Sequence, residues 1–385
     1  MKIVWVTRSF LDYRIPVYKE LKALNKGQFK LIFNEDYVPN RVVEKAKAEL
    51  GDSCIGLKGE LTIGNKDTTN KWANKGLRIP IQKGLIKRIK MEKPDIIISD
   101  GFFQWTYAAL WLRFFYKTPH VMCYERTHHT ERNAQWFRVF YRKVAIKWID
   151  MICCTGKLCS DYVQSLGFDL KKVTYGHMVA DIDTFNIDKS NVKKDYFIDK
   201  VDDLNTLIYI YVGRLVDAKG INELLFCWNN FQKRKKVKLF LIGDGPDREK
   251  YELKIEEMEL KNVVFLGKIE YEKLSHLYKS ADVFVMPTLE DNWSLVVPEA
   301  MAAGLPILCS IYNGCYPEYI TEKNGWVFDP LDQVDFLSNL EKSYHCNYLK
   351  ELGVASKEII SNFSPLEASK SILKAINQVK HNNVN

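Results

Sequence analysis

The strongest constraint on the fold is a series of short, largely apolar runs rich in β-branched residues, each followed by a polar loop or an amphipathic stretch. In the first half they occupy 2–7, 29–33, 95–99, 121–124 and 151–154. A run without polar alternation suits a strand buried on both faces, the condition of a parallel sheet covered by helices. Segment 15–24 reads as one such helix, with Pro16 tolerated in its first turn. The polar stretch 181–205 has no helical period and reads as a linker. The pattern then restarts, with strands at 207–212, 237–242, 263–266, 283–286 and 307–310, and helices near 221–231, 248–259, 271–280, 295–303 and 333–344. A chain of 385 residues exceeds one ordinary core and suits two domains. The pattern predicts two Rossmann-like α/β domains, over 1–190 and 191–364, with parallel sheets facing across a cleft. A helix at 365–385 is expected to return toward the N-terminal domain. Ligands of such sheets bind beyond the carboxyl ends of the strands, so the loops there are where chemistry belongs.

Composition excludes several classes. The hydrophobic share of 46% and charged share of 27% are those of a soluble globular protein. Nine scattered cysteines show no metal-site spacing, and several lie in apolar runs, which points to a reducing, cytoplasmic compartment. The apolar run at the N-terminus is too short for a secretory signal, and 105–115 is interrupted by Arg113 and too short to span a bilayer. Charge is unevenly spread. Residues 1–175 hold 31 Lys and Arg against 17 Asp and Glu, an excess of 14; the remainder holds 25 against 31, a deficit of 6. The first half therefore suits an anionic partner. Segment 135–150 mixes Trp136, Phe137, Phe140 and Trp148 with Arg138, Arg142, Lys143 and Lys147, as would a helix on the cytoplasmic face of an anionic membrane. The competing reading is an ordinary core-facing helix with solvated cations. No nucleic-acid-binding motif is present, so no nucleic acid partner is expected.

Two loops carry candidate chemistry. In VGRLVDAKG, a strand ends at Gly213, and Arg214 and Lys219 follow on the connecting loop. Gly213 lets a ligand approach the backbone, Arg214 can grip phosphate oxygens in a bidentate fork, and Lys219 adds a point charge. In PTLEDNWSLVVPEA, a strand gives way to a polar loop and a helix starting near Ser294. N–H groups at a helix start favour anions, while Asp291 and Glu299 suit hydroxyls. Either loop alone is as well explained by solvated charge.

Taken together and in order, these motifs resemble the retaining glycosyltransferases of family 4, which have the GT-B fold. GRLVDAKG is similar to that family's diphosphate loop, LIGDGPDREKYE to its glycine-rich strand and turn, and DNWSLVVPEAMAAGLPIL to its motif of two acids spaced by seven residues. The segment 263–288 and the turn NGWVFDPLD complete a run from about 207 to 332. The resemblance implies that Arg214 and Lys219 bind the donor diphosphate and support the leaving group. Glu299 would hold the ribose hydroxyls, and the backbone amides of Asn292, Trp293, Ser294 and Leu295 would meet the sugar and phosphate. Gly213, Gly243, Gly267 and Lys268 would complete the donor site. Asp291 departs from the usual glutamate, which bears on sugar preference.

The N-terminal half resembles the family more weakly. Glu125-Arg126-Thr127 is similar to the loop that usually supplies a histidine near the donor sugar, so Arg126, then His128, are the candidates there. Arg8, Phe10, Tyr13 and Arg14 stand where a glycine pair is common and are candidate acceptor contacts. Asp181-Ile182-Asp183 spells a D-x-D, but in the linker, so neither metal nor other cofactor is expected. The implied reaction is transfer of a hexose-type sugar from a nucleotide-sugar to a glycan or lipid-linked acceptor. The rivals are a non-catalytic nucleotide-sugar-binding subunit, a nucleotide-sugar 2-epimerase, and a dehydrogenase, which lacks its third glycine after Gly245.

Overall fold

The computed structural model describes residues 1–63, 79–186, 197, 203 and 205–384, with the backbone alone at 272 and 381–384. Two compact units emerge, Met1–Val179 with Pro365–Asn385, and Ala180–Ser364. The boundary expected at 190 lies outside the described residues.

The first unit runs β1 (Ile3–Thr7), α1 (Arg14–Leu24), β2 (Phe29–Asn34), α2 (Asn40–Leu50), β3 (Cys54–Leu57), β4 (Glu60–Ile63), β5 (Ile79–Gln82), α3 (Leu85–Met91), β6 (Ile96–Asp100), α4 (Thr106–Tyr116), β7 (His120–Tyr124), α5 (Trp136–Ala145), β8 (Met151–Cys154), α6 (Lys157–Ser165) and β9 (Val173–Tyr175). Seven strands form one sheet in the order β3-β2-β1-β6-β7-β8-β9. Every pair in it is parallel. β4 and β5 make a separate antiparallel pair. All five residues of β1 are buried, as an apolar run covered on both faces requires.

The second unit contains β10 (Leu207–Val212), α7 (Ile221–Phe231), β11 (Val237–Ile242), α8 (Arg248–Glu257), β12 (Val263–Gly267), α9 (Tyr271–Ser280), β13 (Val283–Met286), α10 (Val296–Ala302), β14 (Ile307–Ser310), α11 (Tyr316–Tyr319), β15 (Gly325–Phe328), α12 (Gln333–Tyr344) and α13 (Leu349–Ile360). Its six-stranded sheet has the order β12-β11-β10-β13-β14-β15. The chain then ends in α14 (Pro365–Val384), which packs on α1, β8 and β9 of the first unit. In both sheets strand order reverses beside the first strand, between β1 and β6 and between β10 and β13. Those crevices are the ligand positions of an open parallel sheet.

Two expectations need correction. The stretch 181–205 is not a bare linker where it is described. Ile182–Thr184 forms a 3-10 turn, Phe185 is fully buried edge-on to Tyr278, and Phe197 stacks on Phe240 with ring centroids 4.1 Å apart. Helix α10 spans seven residues from Val296, not 295–303, and no side chain caps it. None of the nine cysteines is in a disulfide. No helix among the described residues is long and apolar enough to cross a membrane.

Candidate functional site

In the second unit the loops after β10 and β13 are locked together. The Ala218 carbonyl accepts from the N–H of Leu289 (2.9 Å) and Glu290 (3.1 Å) and from the Thr288 hydroxyl (3.0 Å). Gly220, at φ +69°, makes the approach possible, since a Cβ there would lie 1.9 Å from the Pro287 carbonyl oxygen. This docking brings the Lys219 ammonium onto Asp291 Oδ2. The other Asp291 oxygen accepts from the Trp293 N–H at 3.2 Å. Arg214 is exposed and forms no side-chain hydrogen bond or ion pair among the described residues, while its carbonyl is held by the Tyr211 hydroxyl at 2.9 Å. An uncommitted guanidinium and an ammonium on one loop suit a polyanion.

Glycines form the surface next to these cations. The Gly213 N–H donates to the Ile242 carbonyl (3.0 Å), and the Gly243 N–H to that of Gly267 (2.8 Å). Gly243, at φ +133°, would place a Cβ 1.9 Å from the Gly213 oxygen. The carboxyl ends of β10, β11 and β12 therefore present backbone in place of side chains, with exposed Lys268 following Gly267.

The expected amides of 292–295 are only partly open to a ligand. Asn292 and Leu295 are half-buried, and Ser294 is buried. The Trp293 N–H is taken by Asp291, and its ring packs edge-on to Tyr319 at 5.0 Å. Glu299 lies in the first turn of α10, 6% exposed, accepting from the Tyr278 hydroxyl of α9 at 3.1 Å. Burial pushes its carboxyl up to about 8, against the opposing hydrogen bond from Tyr278. At neutral pH the group is largely protonated, and so can both donate to and accept from a diol.

The first unit holds a cavity of about 360 Å³ at the carboxyl ends of β1, β6 and β7. Arg8, Tyr13, Arg14 and Arg126 all line it, but Phe10 does not. Phe10 is a core residue, 4% exposed, edge-on to Tyr18 and Phe33, because an aromatic ring next to the buried start of α1 gains more from apolar contact than from the cavity. His128 is exposed, lies outside the cavity lining and meets the edge of Tyr162. Arg8 is bound to Glu60 of β4 by Nε (2.8 Å) and Nη2 (2.7 Å). Arg14 is buried; Nη1 donates to the His177 carbonyl (3.1 Å) and Nδ1 (3.2 Å), and Nη2 to Asp100 (3.3 Å). The His177 proton must therefore sit on Nε2, which donates to the Tyr124 carbonyl at 2.9 Å. Burial, then the Arg14 charge, lowers the His177 pKa to about 3, and the ring stays neutral.

Sequence reasoning missed Asp100, Glu131 and His177, and it placed Arg138 and Arg142 at the surface, toward an anionic membrane or solvent. Both arginines are buried and line the cavity; Arg142 Nη1 meets Glu131 at 2.6 Å and the Tyr162 hydroxyl at 2.6 Å. The partner Glu131 comes from the loop before the helix, and the charges turn inward to reach it. Asp181 and Asp183 of the D-x-D lie on and beside the 3-10 turn, where Thr184 donates to Asp181 at 3.3 Å. No group of three or more metal-ligating side chains occurs among the described residues.

Comparison with known proteins fits this geometry. Residues 192–358 match the family model described as Glycosyl transferases group 1. The sulfoquinovosyl transferase SQD2 of Arabidopsis thaliana is 35% identical over 156 residues, 39% of this chain and 29% of that protein. The putative teichuronic acid biosynthesis glycosyltransferase TuaC of Bacillus subtilis is 24% identical over 251 residues, 63% of this chain and 60% of that protein. The chain thus covers less than two thirds of each relative. The structure of Anabaena Alr3699/HepE in complex with UDP superposes with a TM-score of 0.74 at 14% identity, covering 98% of this chain and 100% of that one. The two α/β units are accordingly of the GT-B fold class, and the stretch 192–358, most of the second unit, is similar to the glycosyl transferases group 1 family.

Proposed function

We propose that the chain is a glycosyltransferase that moves a hexose-type sugar from a UDP- or GDP-sugar to a glycan or lipid-linked acceptor, with retention of configuration and without a metal. The observation that carries this reading is the cationic pair at the switch point of the second sheet: exposed Arg214, and Lys219 fixed against Asp291, beside a glycine surface. Such a surface admits a diphosphate to the backbone while the two cations neutralise it. The Anabaena neighbour crystallised with UDP supports a nucleotide diphosphate ligand.

In the proposed reaction the bond from the anomeric carbon to the diphosphate oxygen breaks as the acceptor oxygen bonds to the same face of that carbon. The acceptor proton passes to the departing phosphate oxygen, so no separate protein base is required. Arg214 and Lys219 hold the charge that develops on the leaving group, and Glu299 holds the ribose diol. Asp291 orients Lys219 and accepts from a sugar hydroxyl. Catalysis comes from positioning and fixed charge. The first unit carries the acceptor, and the exposed aromatic side of α5 rests on the cytoplasmic face of an anionic membrane.

The test is donor turnover, measured with a panel of UDP- and GDP-sugars. Arg214→Ala and Lys219→Ala should each lower it by about 10²–10³-fold, the usual loss for one charge-stabilising contact. Turnover within twofold of the parent in both variants refutes the assignment. Tight donor binding without turnover under any condition points to a non-catalytic binding subunit.

A further inference from the structure

We propose that the first-unit cavity binds an oxyanion carried by the acceptor, so that the acceptor is an acidic sugar bearing a carboxylate or a phosphate. This rests on the transferase reading, since only that reading gives the second ligand the role of acceptor.

Three guanidiniums, of Arg126, Arg138 and Arg142, line one side of the cavity around a single carboxylate, Glu131. Arg142 is 2.6 Å from Glu131, and Arg126 reaches it only through Nε at 3.6 Å. Arg126 is 30% exposed and makes no hydrogen bond among the described residues, so its fork of donors remains for a ligand. The cations also repel one another: burial first, then Arg142 and Arg126, pull the Arg138 pKa down despite Glu131. An added anion would relieve that repulsion.

The cavity lining holds two further carboxylates. Asp100 is committed to Arg14 at 3.3 Å and to Trp5 Nε1 at 3.1 Å. Glu125, next to Arg126 in the chain, is the other acid of the lining.

A second observation points to a ligand independently of charge. Tyr124 lines the cavity and is 3% exposed, and its hydroxyl is buried with no hydrogen-bond partner among the described residues. The Gln104 amide oxygen, also in the lining, is in the same condition. An unsatisfied buried polar group is destabilising, so two in one cavity mark a place where polar groups of a guest complete the bonding. A hydroxyl donor that feels the charges of Arg142 and Arg126 suits an oxyanion, and an amide acceptor suits a sugar hydroxyl.

The experiment is titration of the full chain with glucose, glucuronate and glucose 6-phosphate, by calorimetry in the presence of UDP. Hydrogen-exchange protection in β1, β6 and β7, matching that of the parent, reports that the first unit of each variant is folded. At least one of the two acidic sugars should bind ten or more times more tightly than glucose, and which one identifies carboxylate or phosphate. Arg126→Gln should reduce that affinity at least tenfold, and Arg126→Lys should restore part of it. The proposal is overturned if the three sugars bind alike, if neither acidic sugar binds, or if Arg126→Gln leaves the affinity within twofold. Acidic-sugar binding that is lost in Arg126→Gln, in a chain that turns over no nucleotide-sugar, upholds the anion site and removes only its role as acceptor site.

Discussion

At the scale of single residues, Glu299 ties stability to pH. Its folded carboxyl has a pKa near 8, raised by burial from an ordinary 4.5. Between those values the folded chain holds a proton that the unfolded chain has released. Stability from this group is therefore full below about pH 4.5 and declines as pH rises through 8, by about 1.4 kcal/mol per pH unit at most. Glu299→Gln keeps the partner of Tyr278 but carries no proton to lose. The variant should melt at a higher temperature than the parent at pH 9, with the difference shrinking toward pH 5, while binding UDP-sugars more weakly. Parallel melting profiles across that range would contradict the assignment. Arg214, Lys219, Asp291 and Glu299 were legible in the sequence because each stands in an ordered motif next to a strand end. Asp100, Glu131 and His177 were not. Their roles depend on Arg14, Arg126 and Arg142, contributed by α1, the loop after β7 and α5, and no spacing along the chain encodes such meetings.

At the scale of elements, strands were the easiest to read, because runs such as 207–212 and 283–286 are apolar without interruption. β4 escaped notice for the opposite reason: Leu61 and Ile63 are 62% and 59% exposed, so no buried face marks it. Helix α5 was found, but two of its cations were misplaced. Trp136, Phe140 and Val144, one turn apart, are 79%, 64% and 44% exposed, while Arg138 and Arg142 face inward. An apolar stripe is ordinarily the buried one. Here Glu131 reverses the choice, since a buried arginine pair needs its carboxylate. The outer stripe lies near exposed Lys143 and Lys147, and Phe114 of α4, itself 45% exposed, meets Trp148 at 4.6 Å. Aromatic groups flanked by lysines suit the headgroup region of an anionic bilayer. The chain should sediment with vesicles containing phosphatidylglycerol more than with neutral ones. Trp136→Ser with Phe140→Ser should cut that binding at least tenfold, given about 1.5–3 kcal/mol per buried aromatic. Equal sedimentation with both vesicle types would end the electrostatic part of the proposal.

At the scale of the whole molecule, the order of the chain and the order of its structural units differ. The first unit is built from both ends of the sequence, because α14 follows the second unit yet packs on α1, β8 and β9. Ala368, Ile372, Ala375, Ile376 and Val379 are all at most 2% exposed, and the Ser369 hydroxyl donates to the Val17 carbonyl at 2.9 Å. The spacing of those apolar positions is that of one helix face, and spacing alone does not name the unit that buries it. Removing 365–385 strips this cover from the first sheet. Losing the contacts of Ile372, Ile376 and Val379 should cost several kcal/mol, at about 1.5–3 for each side chain. The loss should be local, because units with separate cores open separately. Hydrogen exchange on the truncated chain should show faster exchange in α1, β8 and β9, with protection retained in β10, β11 and β13. UDP should still bind the truncated chain, since Arg214 and Lys219 sit on loops anchored to Ala218 and Asp291 within the second unit. Faster exchange spread evenly over both sheets would show instead that the two units unfold as one.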